Sequence, residues 1–166
     1  YKFSGILIEA QPNLFNRLKI NRPKDFLVNS AITNSNNLSV NLIGNDLEAG
    51  VIDNLSTNLE KHSDWYMYEV PNKKMSGVIK DSKLDYIDVM FIDTEGSELE
   101  IVESIDFNFP ISLIVIEAHK DRKKRDEKLK SILIKEGYDF LYQIRGNYWF
   151  YNKVKIRKNG IKLRKD

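Results

Sequence analysis

Tyr86–Ile105 runs YIDVMFIDTEGSELEIVESI. Its first half, Ile87–Asp93, is a near-continuous apolar segment rich in β-branched residues. A strand with one wet face alternates, whereas a parallel strand covered by helices on both faces reads as an unbroken apolar run. Its second half, Ser97–Ile105, carries Leu99, Val102 and Ile105 at helical spacing, with Glu98 and Glu100 near the positive end of the helix. Between them lies Asp93-Thr94-Glu95-Gly96, a strand-to-helix corner at which Gly96 permits a positive φ or the close approach of a ligand.

The same grammar extends outward. Gly5–Glu9 (GILIE), Phe26–Thr33 (FLVNSAIT) and Ser112–Glu117 (SLIVIE) are further apolar runs and are expected to be strands buried on both faces. Leu38–Ile43 and Trp65–Val70 alternate, as strands with one solvated face or a hairpin-like insertion do. Helical spacing predicts helices over Pro12–Ile20, with Pro12 in a first turn and Pro23 beyond its end, over Met75–Ser82, and over Asp126–Glu136 with Gly137 as its cap. Tyr138–Ile144 and Asn147–Val154 flank Arg145-Gly146, a hairpin signal. Strands alternating with helices and closed by an antiparallel pair argue for an α/β sandwich.

Composition narrows the classes. The 166 residues, 42% hydrophobic, suit one domain and are too apolar for a disordered chain. No run approaches the roughly 18 apolar residues of a membrane span. Without cysteine there is no disulfide framework, zinc–thiolate site or thiol nucleophile, which leans towards a reducing, cytoplasmic location. A net charge of +2 is too balanced to imply nucleic-acid binding. The run Lys120–Lys130 and the basic tail, residues 153–166, read as solvated surface, and Tyr148–Tyr151 as core and sheet edge.

Ligands of open α/β sheets bind beyond the carboxyl ends of the strands. Those ends are acidic here: Glu9 closes the first run, Asp93 and Glu95 follow the third, and Glu117 with His119 ends the fourth. Strand-end acids can bind ribose hydroxyls, hold a metal or accept protons. Each also has a plainer reading. Glu9 can cap the helix that follows Gln11-Pro12; Asp93 and Glu95 can be cap and first-turn acids of the next helix; Glu117 and His119 can be hydrogen-bonded structural groups.

At the octet Asp93–Glu100 the sequence resembles FkbM-type methyltransferases, whose signature is an apolar strand, Asp-x-Glu-Gly-x-Glu and an apolar-faced helix. GILIEAQPNLFNRLKINRP, FLVNSAIT, VPNKKMSGVI, SLIVIEAHK and GYDFLYQIRGNYWFYNK resemble further segments of that family in the expected order. The resemblance covers essentially residues 4–152. It implies a methyltransferase domain over residues 1–152, with a Rossmann-like class I sandwich, a mostly parallel sheet and an antiparallel C-terminal hairpin. It also implies S-adenosylmethionine as cofactor and O-methylation of a hydroxyl on a sugar, glycolipid or secondary metabolite. By the same resemblance Glu9 would bind the ribose hydroxyls, Ser30 and Ala31 would lie near the adenine, and Asp93 would sit close to the sulfonium. Glu95 would flank the acceptor, while Glu117 and His119 would orient or deprotonate its hydroxyl.

The family's first strand and Gly-rich loop should precede GILIE, where only YKFS stands. The chain is therefore expected to be an N-terminally incomplete domain. Two alternatives stay open. One is a metal-dependent nuclease or phosphotransfer enzyme using Asp93, Glu95 and Glu117, against which Lys120 stands three residues from Glu117 rather than two. The other is a non-catalytic Rossmann-like module.

Overall fold

The computed structural model describes residues 4–45, 49–54, 64–118 and 122–155. In chain order the elements are β1 (Ile6–Ile8), α1 (Pro12–Asn21), β2 (Phe26–Val28), β3 (Ala31–Ile32), β4 (Ser39–Gly44), β5 (Ala49–Val51), a 3-10 turn (Ile52–Asn54), β6 (Tyr66–Lys73), α2 (Met75–Ser82), β7 (Ile87–Ile92), α3 (Glu98–Glu103), β8 (Ile111–Glu117), α4 (Lys123–Lys135), β9 (Asp139–Ile144) and β10 (Asn147–Tyr151). They fall into two compact units, Tyr1–Lys83 with Thr94–Ile105 and Leu84–Asp93 with Asp106–Asp166. The division passes between Asp93 and Thr94, inside the acidic octet. No helix among the described residues is long and apolar enough to cross a membrane.

In the first unit β1 and β2 pair in parallel, Ile6 opposite Phe26 and Ile8 opposite Val28. A second sheet runs β3-β6-β4-β5, with β3–β6 parallel and β4 antiparallel to both β5 and β6. Its core is Ala31, Leu42, Val51 and Val70, against which Ala10, Val40 and Tyr68 pack. The expected single strand Phe26–Thr33 is broken in two, and its halves join different sheets. Asn29 and Ser30 cause the break. The Asn29 amide donates to the carbonyls of Glu9 and Ala10, and the Ser30 hydroxyl donates to that of Pro71. Such bonds compete with a strand ladder for the backbone. Helix α2 lacks a capping side chain on its own N-cap residue. Ser104, just past α3, supplies the acceptors instead: its hydroxyl takes the N–H of Met75 and its carbonyl that of Ser76.

In the second unit the sheet runs β7-β8-β10-β9, with β7–β8 parallel and the remaining pairs antiparallel. Ile111, Ile114 and Ile116 of β8, Leu129 and Leu133 of α4, and Phe150 of β10 are its largest fully buried side chains among the described residues. Burial on both faces is met in β8, which has a strand on either side. It is not met in β7, an edge strand whose Phe91 stays 71% exposed. The hairpin turn forms at Arg145-Gly146, both at positive φ (50° and 81°), as a two-residue turn matched to strand twist requires. Helix α4 ends in a Schellman motif: Tyr138 N–H reaches Leu133 O, Gly137 N–H reaches Ile134 O, and Gly137 sits at φ 84°.

The expectation of one mostly parallel sheet is met only in part. The chain is mixed α/β, but among the described residues the strands form several sheets in which antiparallel pairs are prominent. The alternating segments are responsible. Half-polar strands such as β4 and β6 suit antiparallel pairing, in which one face can stay solvated, whereas parallel pairing goes with strands covered on both faces.

Candidate functional site

Strands β7 and β8 place two of the candidate acids side by side. The parallel register sets Ile92 opposite Ile116, so Asp93 and Glu117, each one residue further on, end neighbouring strands. Both isoleucines are buried, which anchors the strand ends. Carboxylate oxygens of Asp93 and Glu117 lie within 4.8 Å of each other, about the spacing between hydrogen-bonded strands. Asp93 is exposed and Glu117 half-buried. Two carboxylates at that distance favour a cation between them. The pair can therefore receive a divalent ion, a cationic ligand or the proton of a hydroxyl.

Beyond Asp93 the chain reverses. Glu95 adopts φ 47° and Gly96 φ 116°, two successive residues in left-handed space. Glycine does this freely, but for glutamate it is a strained choice that persists only where the surroundings impose it. Glu98 imposes it. This residue is 5% exposed, and its Oε1 accepts hydrogen bonds from Thr94 N–H (3.1 Å), Thr94 Oγ1–H (3.1 Å) and Gly96 N–H (3.0 Å). Next to it, the Asn54 amide donates to the Ser97 hydroxyl at 2.9 Å.

In the first unit, Glu9 is half-buried one residue after β1. Its backbone N–H extends the parallel ladder to Val28 O, and its Oε1 accepts the N–H of Gln11, the N-cap residue of α1. Glu9 therefore does perform the capping role open to it. A carboxylate has acceptor capacity beyond one such bond, so capping and ligand binding are compatible. Asn29 ties the backbone on either side of the Glu9–Ala10 peptide, fixing the direction in which the Glu9 side chain leaves. Ser30 and Ala31 are 1% and 4% exposed at the start of β3, and the Ser30 hydroxyl is bonded to backbone carbonyls. His119 lies outside the described residues.

Sequence reasoning left two residues that shape this region without a role. Glu98 closes the Asp-x-Glu-Gly-x-Glu signature but by position reads as a first-turn acid, and its burial reveals the turn wrapped around it. Asn29 carried a signal: it is an amide that follows the apolar Phe26–Val28 in FLVNSAIT, where a buried polar side chain must find partners.

A family model described as the methyltransferase FkbM domain matches residues 1–143. No curated protein and no solved structure matches the chain.

Proposed function

The chain belongs to the methyltransferase FkbM domain family, and from that premise we propose that it uses S-adenosylmethionine to methylate a hydroxyl of a sugar, glycolipid or secondary metabolite, within a Rossmann-like domain. The observation that carries this reading is the pair of carboxylates, Asp93 and Glu117, at adjacent strand ends.

When bound, the cofactor supplies an electrophilic methyl group on a cationic sulfonium. The donor chemistry of the chain suits it. Asp93 offers an exposed negative charge for the sulfonium end, and Glu9 offers acceptor oxygens for vicinal ribose hydroxyls. Ser30 and Ala31, where β3 begins, are assigned to the adenine side. Glu117, at the end of the buried strand β8, would orient the acceptor hydroxyl and take up its proton. Glu95 is assigned to the acceptor side, and His119, like Glu117, to orienting or deprotonating the acceptor hydroxyl. Alignment of oxygen, carbon and sulfur dominates the rate of such a displacement, so fixed carboxylates matter more than basicity.

Transfer of labelled methyl from S-adenosylmethionine to a pooled glycan and metabolite extract tests the proposal. Asp93→Ala and Glu9→Ala are each expected to abolish incorporation. Persistent transfer by both variants would remove the site assigned here, and absence of cofactor binding by calorimetry would remove the activity.

A further inference from the structure

The geometry points to Glu98 as a positioning residue that sets the direction of Glu95, a role that rests on the methyltransferase reading and deepens it. The strand-to-helix corner has two features that are costly by themselves. One is a non-glycine residue, Glu95, in the left-handed region. The other is a carboxylate, that of Glu98, buried to 5% exposure. Each explains the other. Burial of Glu98 is tolerable because its Oε1 receives Thr94 N–H, Thr94 Oγ1–H and Gly96 N–H. The left-handed turn persists because those same bonds hold its two flanks, Thr94 before Glu95 and Gly96 after it.

The consequence falls on direction. Along an extended strand, residues two apart project to the same face. A left-handed residue at position 95 breaks that alternation, so the Glu95 side chain leaves the chain in a direction the strand alone would not give it. Thr94, just before Glu95, has both its N–H and its hydroxyl fastened to Glu98. Helix α3 in turn anchors Glu98 through buried Leu99, Ile101 and Val102. A buried helix thus holds a carboxylate, the carboxylate holds a turn, and the turn sets Glu95. A plain helix cap would need no such turn: Ser, Thr or Asp at the N-cap suffices, and Ser97 occupies the N-cap here without making a side-chain cap bond.

The test compares Glu98→Gln, which keeps an oxygen at the position of Oε1, with Glu98→Ala, which removes it, and Thr94→Val, which deletes one donor of three. Glu98→Ala should lower kcat by about 10²-fold, the scale of a misplaced reacting group, with a smaller change in KM for S-adenosylmethionine. Glu98→Gln should stay close to wild type, and Thr94→Val should fall between. Hydrogen exchange gives a readout independent of activity. The amides of Thr94 and Gly96 should be protected in wild type and Glu98→Gln and exposed in Glu98→Ala, while amides within β8 stay unchanged. If Glu98→Ala does not fold, a Thr94→Val variant that keeps both full kcat and full Gly96 protection overturns the inference. So does a folded Glu98→Ala variant that loses protection at the turn but keeps kcat. A wild-type chain with no methyl transfer but with the exchange pattern described would overturn the methyltransferase reading and leave the clamp intact.

Discussion

Replacing Tyr148 by Phe should destabilise the second unit by about 2 kcal/mol, the range for a hydrogen bond to a charged group. The Tyr148 hydroxyl donates to Asp126 Oδ2 at 2.8 Å, and both residues are 8% exposed. Phenylalanine keeps the ring, its edge contact with Phe140 and the Lys130 ammonium 3.7 Å from the ring centroid. The loss therefore isolates one bond and leaves a buried carboxylate short of a donor. The pH dependence gives a second test. Burial first, and then the hydrogen bond and charge of Asp126, push the Tyr148 phenol up from an ordinary 10.0 to about 12. Between those values the unfolded chain releases a proton that the folded chain retains, so stability falls as pH rises. The contribution is full below pH 10 and lost on the way to about 12. Urea unfolding of wild type and Tyr148→Phe at neutral pH and across the alkaline window should show a gap that narrows as pH rises. A neutral-pH gap below about 0.5 kcal/mol, the level of an ordinary surface substitution, would refute the argument, as would a gap that stays constant through the window.

Gly137→Ala should cost about 1 kcal/mol in thermal or urea unfolding. The added Cβ meets only Asn152 Nδ2 at 3.5 Å, so the penalty comes from φ 84° rather than from space. Ile114→Ala, at a site with no exposure, should cost about 3 kcal/mol, while Ile134→Ala, 59% exposed on α4, should change stability by less than about 0.5 kcal/mol. Asp25 accepts Arg22 Nε at 2.6 Å and Gly5 N–H at 2.9 Å, and chiefly the Arg22 bond holds its carboxyl below the ordinary 3.8. Its stabilisation is present above that value and is lost as pH falls through the lower folded value. Asp25→Asn should accordingly flatten the acid limb of the stability curve and speed exchange of the Gly5 amide.

Several elements are legible from local chemistry alone. Helix α2 occupies Met75–Ser82 as its spacing predicts, and β8 occupies the apolar run that ends at Glu117. Arg145-Gly146 turns the hairpin, and Gly137 stops α4. These features depend on residues adjacent in the chain: a hydrophobic period, a glycine that tolerates positive φ, a turn that matches strand twist. The strand-end position of Asp93 and Glu117 is equally visible, because each acid terminates an apolar run.

What sequence could not decide are the matters settled by pairing between distant segments. Apolarity marks FLVNSAIT as strand, but the carbonyls of Glu9, Ala10 and Pro71, which draw Asn29 and Ser30 out of the ladder and split it, belong to other segments. Whether a run pairs in parallel or antiparallel sense depends on its neighbour, and the alternating strands β4 and β6 chose each other. The Asp93–Glu117 proximity needed the register of β7 on β8, which no single-strand pattern encodes. Asp126, in a run of charges that reads as solvated surface, is buried because Tyr148 on β10 reaches it. Sequence fixes what each residue can offer, a carboxylate, a hydroxyl or a permissive backbone; tertiary packing decides whether water or another segment of the chain accepts the offer.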